Sequence, residues 1–363
     1  MALTVAADTT PLLGARTGIG TLVASLVDEL DRRDDIALLR YAVSMRAPVP
    51  QGVRRFPYPA RFALAAWSRG HQPSGRRTLA GADVVHATNY VAPPTGWPTV
   101  VSVHDVSFLT RPELANATVR SFAPVIRRAV GDGAWIHTIS EHVATQIREM
   151  FDVERVRVVY PGATRTVIDT GAAPRLPDLG GRPYILAIGT REPRKNLPRL
   201  VDAFGLLHAG QRQTALVIAG PPGPDDPAIQ AAIGRLPREA AEQVLVTDYL
   251  HEADRDAVVA GAAVLAYPSL DEGFGFPALE GMAAGVPVVA ARAGAIPEVA
   301  GDAAVLVDPL DPTALASGLD RALSDDGLRA QLILAGHKRV LRFTWPAMAD
   351  GMCALYRDAV SEA

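Results

Sequence analysis

The sequence of 363 residues contains a single cysteine, Cys353, so no disulfide bond can form within the chain. So little cysteine is typical of a protein from a reducing compartment. No paired cysteine and histidine ligands occur, which excludes a structural zinc site of the usual kind. The net charge of −3 gives no overall attraction to nucleic acid, so we expect no nucleic-acid partner.

Long hydrophobic runs are also missing. The nearest candidate, around residues 283–307, is interrupted by Arg292, Glu298 and Asp302, so the sequence predicts no transmembrane helix. The N-terminal stretch contains Asp8 and lacks a basic region followed by an apolar run, which argues against a signal peptide. We therefore expect a cytoplasmic protein, with peripheral contact at the inner face of a membrane left open.

Short β-branched runs alternate with longer helical patterns, which predicts parallel sheets covered by helices on both faces. Continuous apolar runs such as YILAI (184–188) are typical of buried parallel strands. The length favours two domains, and the boundary is expected near residues 162–182, where glycine and proline are frequent and no periodicity is evident. Each half is then long enough for its own doubly wound sheet.

The most informative run extends from Pro268 to Val299 and contains EGFGFPALE, in which Glu272 and Glu280 flank a glycine loop. Two nearby glycines let backbone N–H groups approach a ligand, and Pro277 suits the first turn of a helix. A glycine loop before a helix N-terminus is an anion site, and a diphosphate is its usual anion. The two carboxylates can accept hydrogen bonds from ribose and hexose hydroxyls. Together these features describe a site for a nucleotide sugar.

This run, EGFGFPALEGMAAGVPV, resembles the motif EGFGxPxLEAMAxGxPV of family 4 retaining glycosyltransferases with the GT-B fold. The resemblance implies an α/β protein of two doubly wound Rossmann-like domains whose parallel sheets face a central cleft. Residues 1–165 are then the N-terminal, acceptor-side domain, and residues 166–344 form the C-terminal domain that binds the nucleotide sugar. In similar proteins the last helix, here about 345–363, crosses back onto the N-terminal domain.

The resemblance also implies roles for the motif residues. Glu280 is expected to hold the ribose hydroxyls, and Glu272 the transferred sugar. The donor-binding loop contributes Gly273, Phe274, Gly275 and Phe276, whose backbone is expected to hold the sugar and the diphosphate.

A second motif, IGTREPRKNLPRLVDAF, follows a strand and leads into a helix. Basic residues at the end of a parallel strand can neutralise a diphosphate leaving group. A solvated basic loop is the alternative, but the match to the family's G-x-x-E-P-R-K-N favours phosphate binding by Lys195, with Arg194 beside it. Many relatives have an arginine directly after the glycine, where this chain has Thr190, and Arg191 is a candidate substitute.

Other candidate residues lie in loops that follow strands. Gly18 and Gly20 open a helix in TGIG, and in similar enzymes this loop closes over the donor phosphates. His104 ends an apolar strand in VVSVHD, and the resemblance favours a contact with the donor sugar near the reacting carbon over a buried structural histidine. His86 in VVHA has a weaker claim to a role of this kind. In VTDYL, Tyr249 and Leu250 are expected to meet the nucleobase.

The sequence Asp254-Arg255-Asp256 spells D-x-D, a metal motif of a different glycosyltransferase fold. It opens a helical pattern, where Asp254 would serve as an N-cap, so we predict no metal site there. No metal and no cofactor are expected. The donor substrate is expected to be GDP-mannose or a UDP-sugar.

The function implied is a retaining hexosyltransferase without a metal ion, in which His104, Glu272 and Lys195 are the catalytic candidates. Bacterial mannosyltransferases have the most similar sequence character, which favours mannose. The acceptor, whether glycan, glycolipid or small molecule, is not specified by the sequence. Two alternatives remain: a nucleotide-sugar epimerase of the same fold, and a non-catalytic nucleotide-sugar-binding protein.

One segment stands out by its charge. No acidic residue occurs between Asp35 and Asp83, and arginines alternate with aromatic residues within 46–77. Such a segment can dock on an anionic membrane, guide an anionic acceptor, or form a solvated loop whose aromatics are buried. All three alternatives remain open.

Overall fold

The computed structural model of the protein describes residues 2–14, 18–110, 121–163, 176, 179, 181–210 and 213–363. The chain divides into two compact units. The first unit consists of Met1–Gly162 together with Phe343–Ala363, and the second unit is the continuous stretch Ala163–Arg342.

The described part of the first unit contains a parallel sheet with the strand order β3-β2-β1-β4-β5-β6-β7. Its strands are β1 Leu3–Asp8, β2 Ile36–Val43, β3 Arg54–Phe56, β4 Val84–Ala87, β5 Thr99–Val103, β6 Trp135–Thr138 and β7 Val156–Val158. Its helices are Gly18–Asp31, Ala60–Trp67, Ser107–Thr110, Phe122–Gly131, Glu141–Phe151 and Trp345–Ser361, with a 3-10 turn at Thr10–Leu12. Apolar strands such as β4, in which every residue is buried, form the centre of the core.

The second unit repeats this plan over its described residues, with a parallel sheet in the order β10-β9-β8-β11-β12-β13. Its strands are β8 Tyr184–Ile188, β9 Ala215–Ala219, β10 Val244–Thr247, β11 Val264–Tyr267, β12 Val288–Ala291 and β13 Ala304–Val307. Its helices are Leu197–Ala209, Asp226–Gly234, Arg238–Ala241, Glu252–Ala260, Phe276–Ala283, Ile296–Ala300, Pro312–Ser324 and Asp326–Val340, with a 3-10 turn at Pro193–Lys195. The predicted class, two Rossmann-like parallel-sheet domains, is confirmed.

The helix Trp345–Ser361 belongs to the first unit although the whole of the second unit precedes it in the sequence. The hydroxyl of Thr344 caps its N-terminus by accepting a hydrogen bond from the backbone N–H of Ala347. Met352 and Tyr356 are fully buried on its inner face. The helix is therefore part of the core of the first unit, not an appendage.

The strand predicted from the run YILAI has the bounds Tyr184–Ile188 in the structure. In the described residues, no helix is both long enough and apolar enough to cross a membrane.

Candidate functional site

The sheet of the second unit reverses its strand order at β8, which pairs with β9 on one side and β11 on the other. In open parallel sheets, ligands bind outside the carboxyl ends of the strands at this point of reversal. A recess lies there, lined in part by Gly189 after β8 and by Tyr267 and Ser269 at the end of β11. Lys195 also lines it. The fold thus marks this edge as a ligand site independently of any motif.

Glu272 is held at this edge by two cations. Nζ of Lys195 lies 2.5 Å from Oε1 of Glu272, and the Arg194 guanidinium donates to Oε2. The side chains of Glu272 and Lys195 are only 8% and 12% exposed. The ammonium of Lys195 also lies 5.1 Å from the centre of the Tyr267 ring, within range of a cation–π contact. The structure thus brings together three residues that the sequence assigned to sugar and phosphate.

The electrostatics of this cluster favour ionised groups. Burial raises the pKa of Glu272, but the opposing pull of Lys195 and Arg194 is stronger and lowers it to about 2. Burial lowers the pKa of Lys195, and the charge of Glu272 opposes that shift. Around neutral pH the carboxylate is therefore charged, and it competes with any anion for the same two cations.

The glycine loop ends in a short helix at the same edge. Gly275 has a φ of +130°, which a residue with a Cβ rarely adopts, and it precedes the helix Phe276–Ala283. Pro277 lies in the first turn, as predicted, and Gly275 offers no side chain to cap the helix. Pro277 has no N–H, and the N–H groups of Ala278 and Leu279 donate to the backbone oxygen of Gly275. What the turn offers an anion is therefore the positive end of the helix dipole. Gly273 and Phe274 connect this turn to Glu272.

Glu280 lies on the same helix and is 7% exposed. The guanidinium of Arg255, from the helix Glu252–Ala260, donates a hydrogen bond to Oε2 of Glu280. The chain segment before that helix contains Tyr249, which is 55% exposed, and the half-buried Leu250. The Tyr249 ring meets the ring of His251 edge-on. Their predicted contact with a nucleobase stays a prediction.

In the first unit, His104 directly follows β5 and is buried. Its Nε2 lies 2.8 Å from the backbone oxygen of Thr88, which can only accept, so Nε2 carries the proton. Burial lowers the pKa of His104, which favours the neutral ring. Its Nδ1 has no hydrogen-bond partner among the described residues. Nδ1 can therefore accept a hydrogen bond from a hydroxyl group.

The predicted loop around Gly18 and Gly20 is described only in part, because residues 15–17 lie outside the described residues. Both glycines lie in the first turn of the helix Gly18–Asp31. Gly20 is buried against the unit. The structure thus confirms that they open a helix, and their contact with donor phosphates stays a prediction.

Two predictions about polar residues are wrong. Asp254 is not an N-cap, because the helix begins at Glu252 and His251 takes that position. Arg191 is not available as a second phosphate cation. Its guanidinium donates to both carboxylate oxygens of Asp226 and to the backbone oxygens of Gly220 and Thr247. Arg191 is 5% exposed, and these hydrogen bonds connect the segments that follow β8, β9 and β10.

The weaker candidate, His86, is a structural residue. It is fully buried, its Nε2 lies 2.8 Å from Oγ of Ser102, and its Nδ1 lies 2.7 Å from the hydroxyl oxygen of Tyr356 on the last helix. Because these partners use both ring nitrogens, His86 has none left for a ligand.

Sequence reasoning missed two residues that shape the site. The first is Arg255, read only as the middle of a D-x-D pattern. The second is Gly294, which has a φ of +57° and packs against the backbone of Glu272. A Cβ at Gly294 would lie 2.5 Å from the backbone nitrogen of Glu272. The run ARAGAIPEV, which contains Gly294, was the available signal.

Among the described residues, no group of three or more histidine, cysteine, aspartate or glutamate side chains could hold a metal ion.

The basic segment 46–77 contains the edge strand β3 and the helix Ala60–Trp67. Phe56 and Trp67 are buried, whereas Phe62 is 51% exposed. Arg54 donates to the backbone oxygens of Thr78 and Ala80.

Two family models match the chain. Residues 16–165 match "Glycosyltransferase Family 4", and residues 174–339 match "Glycosyl transferases group 1". The two matches lie almost wholly in the first and the second unit respectively.

Similar proteins agree with these models. O-antigen chain mannosyltransferase B of Escherichia coli is 31% identical over 72% of this chain and 71% of its own length. D-inositol 3-phosphate glycosyltransferase of Acidothermus cellulolyticus is 30% identical over 77% of this chain and 68% of its own length. Sucrose-phosphate synthase from Thermosynechococcus elongatus, a solved structure, is 18% identical with a TM-score of 0.76, covering 99% of this chain and all of that one. The last similarity concerns the fold alone.

Proposed function

The chain belongs to the family 4 glycosyltransferases of the GT-B fold, and we propose that it transfers a hexose from a nucleoside-diphosphate sugar to a hydroxyl acceptor with retention of configuration. The observation that carries the proposal is the buried Glu272, held by Lys195 and Arg194 where the second sheet reverses its strand order. A carboxylate beside two cations and a helix N-terminus matches the hydroxyls and the diphosphate of such a donor.

In the proposed complex, the diphosphate lies at the N-terminus of the helix Phe276–Ala283 and takes Lys195 and Arg194 as partners. Glu272 is then released to accept hydrogen bonds from sugar hydroxyls. Glu280 accepts from the ribose hydroxyls, and Tyr249 and Leu250 meet the base. Nδ1 of His104 accepts from a hydroxyl of the transferred sugar.

During transfer, the bond between the anomeric carbon and the diphosphate oxygen breaks, and negative charge develops on the leaving phosphate. Lys195, Arg194 and the helix N-terminus stabilise that charge without a metal ion. The acceptor oxygen attacks from the face that the phosphate leaves, and its proton passes to the departing phosphate. The configuration at the anomeric carbon is kept by this route.

We propose mannose as the first choice of sugar, because a relative of 31% identity is named a mannosyltransferase. GDP-mannose is then the first donor to test, and UDP-sugars are the second. The acceptor is proposed to be a glycan, a glycolipid or a small molecule, and the relative named for inositol 3-phosphate makes an anionic small molecule one choice to include.

A thermal-shift panel of GDP, UDP, ADP and dTDP tests the donor class, because a ligand that binds only the folded protein raises its melting temperature. Transfer from the matching nucleotide sugar to an acceptor panel follows, with proton NMR of the fresh product to read its anomeric configuration. An inverted linkage would contradict retention. Conversion of the donor to an epimer without acceptor would instead favour the epimerase alternative, and binding without any turnover would favour a binding protein.

A further inference from the structure

The ion pair between Arg255 and Glu280 joins two parts of the second unit. Arg255 lies on the helix Glu252–Ala260, which follows the segment of Tyr249 and Leu250 at the end of β10. Glu280 lies on the helix Phe276–Ala283 that follows the glycine loop. The pair therefore links the segment expected at the nucleobase to the carboxylate expected at the ribose.

The burial of the two side chains differs. The Glu280 side chain is buried, whereas the Arg255 side chain is 31% exposed. A buried carboxylate loses its hydration and needs a charged or hydrogen-bonding partner, and Arg255 supplies one. The planar guanidinium donates one N–H to Oε2 of Glu280, so the contact depends on direction as well as on charge.

A carboxylate has about four lone-pair positions, so a hydrogen bond from Arg255 to Oε2 does not exhaust its capacity to accept. Two hydroxyl groups on adjacent carbons of a ribose need two acceptor positions in a defined plane. The hydrogen bond from Arg255 to one oxygen restricts the rotation of the carboxylate and so favours one orientation of that plane. Arg255 thus has the geometry to act on the ribose through Glu280.

We propose that Arg255 is a positioning residue, which orients the Glu280 carboxylate towards the ribose hydroxyls of the nucleoside-diphosphate donor. The inference rests on the proposed function, since it assigns the ribose to Glu280. It predicts that Arg255 matters for nucleotides that carry ribose hydroxyls and matters little for nucleotides that lack them.

The experiment measures dissociation constants by calorimetry for GDP and UDP and for their 2′,3′-dideoxy forms. Arg255→Gln is expected to weaken binding of the ribose nucleotide about tenfold and to leave binding of the dideoxy nucleotide unchanged. Arg255→Lys keeps the charge but not the planar fork, so an intermediate loss is expected. Arg235→Gln is the matched control, because Arg235 pairs with Asp202 in the same unit and both side chains are exposed.

A double-mutant cycle separates this role from a direct contact. In a Glu280→Gln background, Arg255→Gln should cause no further loss, because the group it positions is already changed. An equal proportional loss for ribose and dideoxy nucleotides, additive losses in the cycle, or wild-type affinity of the Arg255 variants would each overturn the inference. A thermal melt of every variant shows whether it is folded, and Arg255→Lys provides the test if Arg255→Gln is not.

The same data show whether the proposed donor class or only the role of Arg255 is wrong. If the wild-type protein binds neither GDP nor UDP, the proposed donor class fails and the role of Arg255 fails with it. If the wild-type protein binds one of them and the Arg255 variants keep its affinity, only the role of Arg255 fails.

Discussion

Nζ of Lys195 lies 2.5 Å from Oε1 of Glu272, and the Arg194 guanidinium occupies the other oxygen of the same carboxylate. The cations proposed to bind the diphosphate are therefore paired with the carboxylate proposed to bind the sugar. In the proposed complex, a diphosphate at this edge of the sheet takes Lys195 and Arg194 from Glu272. The carboxylate is then set free at the position where a sugar would need it.

This relationship predicts opposite effects of Glu272→Gln on binding and on turnover. Without the carboxylate, Lys195 and Arg194 lose their competing partner, so the free nucleoside diphosphate should bind more tightly, by up to about tenfold. Turnover should fall roughly 10- to 100-fold, because hydrogen bonds to the charged carboxylate are lost in the transition state. Calorimetry and steady-state kinetics measure the two effects. Weaker nucleotide binding together with unchanged turnover would contradict the assignment.

Transfer is expected to continue at an unchanged rate in EDTA. Lys195, Arg194 and the N-terminus of the helix Phe276–Ala283 supply the positive charge that the leaving diphosphate requires. The assay compares initial rates with EDTA, with EDTA followed by excess magnesium, and with EDTA followed by excess manganese. Activity that disappears on chelation and returns with either metal would show that a cation is part of the reaction.

Acid should destabilise the first unit through its buried histidines. Burial lowers the pKa of His137 from 6.5 to about 3, so between these values the unfolded chain binds more protons and the free energy of unfolding falls as the pH falls. Burial also lowers the pKa of His86 and that of His104, so both contribute a pH dependence of the same sign. Burial raises the pKa of Asp8 to about 6, which gives the opposite dependence between about pH 6 and 3.8.

We expect the free energy of unfolding to fall as the pH falls from 7.5 to 5, because the effect of the three histidines exceeds the opposite effect of Asp8. Urea unfolding at several pH values measures it. His137→Gln, which cannot be protonated, should reduce the slope by up to about 1.4 kcal/mol per pH unit. An unchanged slope in that variant would mean that His137 does not contribute.

Tyr356→Phe should destabilise the first unit by roughly 1–3 kcal/mol. The backbone oxygen of Val159 accepts from Nε2 of His137, which makes Nδ1 of His137 an acceptor for Ser102. Ser102 in turn accepts from Nε2 of His86, so Nδ1 of His86 must accept from the Tyr356 hydroxyl. Loss of that hydroxyl leaves a buried nitrogen without its donor.

Tyr249→Phe is the control for this change, since the Tyr249 side chain is largely exposed. Thermal and urea unfolding of both variants give the comparison. Equal stability of Tyr356→Phe and the wild-type protein would mean that the hydrogen bond to His86 adds nothing.

The basic segment gives a prediction about the acceptor. Arg61 and Arg69 are exposed, whereas Arg54 is tied to backbone oxygens. Arg61→Gln together with Arg69→Gln should raise the Michaelis constant for an anionic acceptor and leave donor binding unchanged. The same double change at Arg235 and Arg238, exposed residues of the second unit, is the matched control.

Flotation with vesicles of anionic lipid tests membrane docking by the same surface. Unaltered acceptor kinetics in the double variant, together with no binding of the wild-type protein to vesicles, would leave the segment as surface structure only. The burial of Phe56 and Trp67 already removes two of its aromatic residues from either role.

The buried strands of the second unit were predictable because they are continuous apolar runs. Strand β8 has the bounds of the run YILAI. The edge strand β3 was not identified, because it is three residues long and begins with Arg54 and Arg55, which a buried-strand pattern does not allow. The motif residues Glu272 and Lys195 were predicted from local sequence, and the structure brings them into contact.

The failures concern side-chain partners that are distant in the sequence. Arg191 looked like a phosphate ligand by position, but its carboxylate partner Asp226 is 35 residues away. Arg255 looked like the centre of a metal motif, and its partner Glu280 is 25 residues away. A local pattern indicates which chemical group is present, and only the packing of the two helices or loops decides what that group contacts.

The first unit is built from two separate segments of the chain, and its helix Trp345–Ser361 is synthesised after the whole of the second unit. Domains usually fold in order from the N-terminus as they emerge from the ribosome. Here the continuous second unit can complete its fold first, while the sheet of the first unit still lacks a buried helix. Until the helix Trp345–Ser361 has emerged, His86 lacks the Tyr356 hydroxyl, so the first unit matures after the second although its synthesis begins earlier.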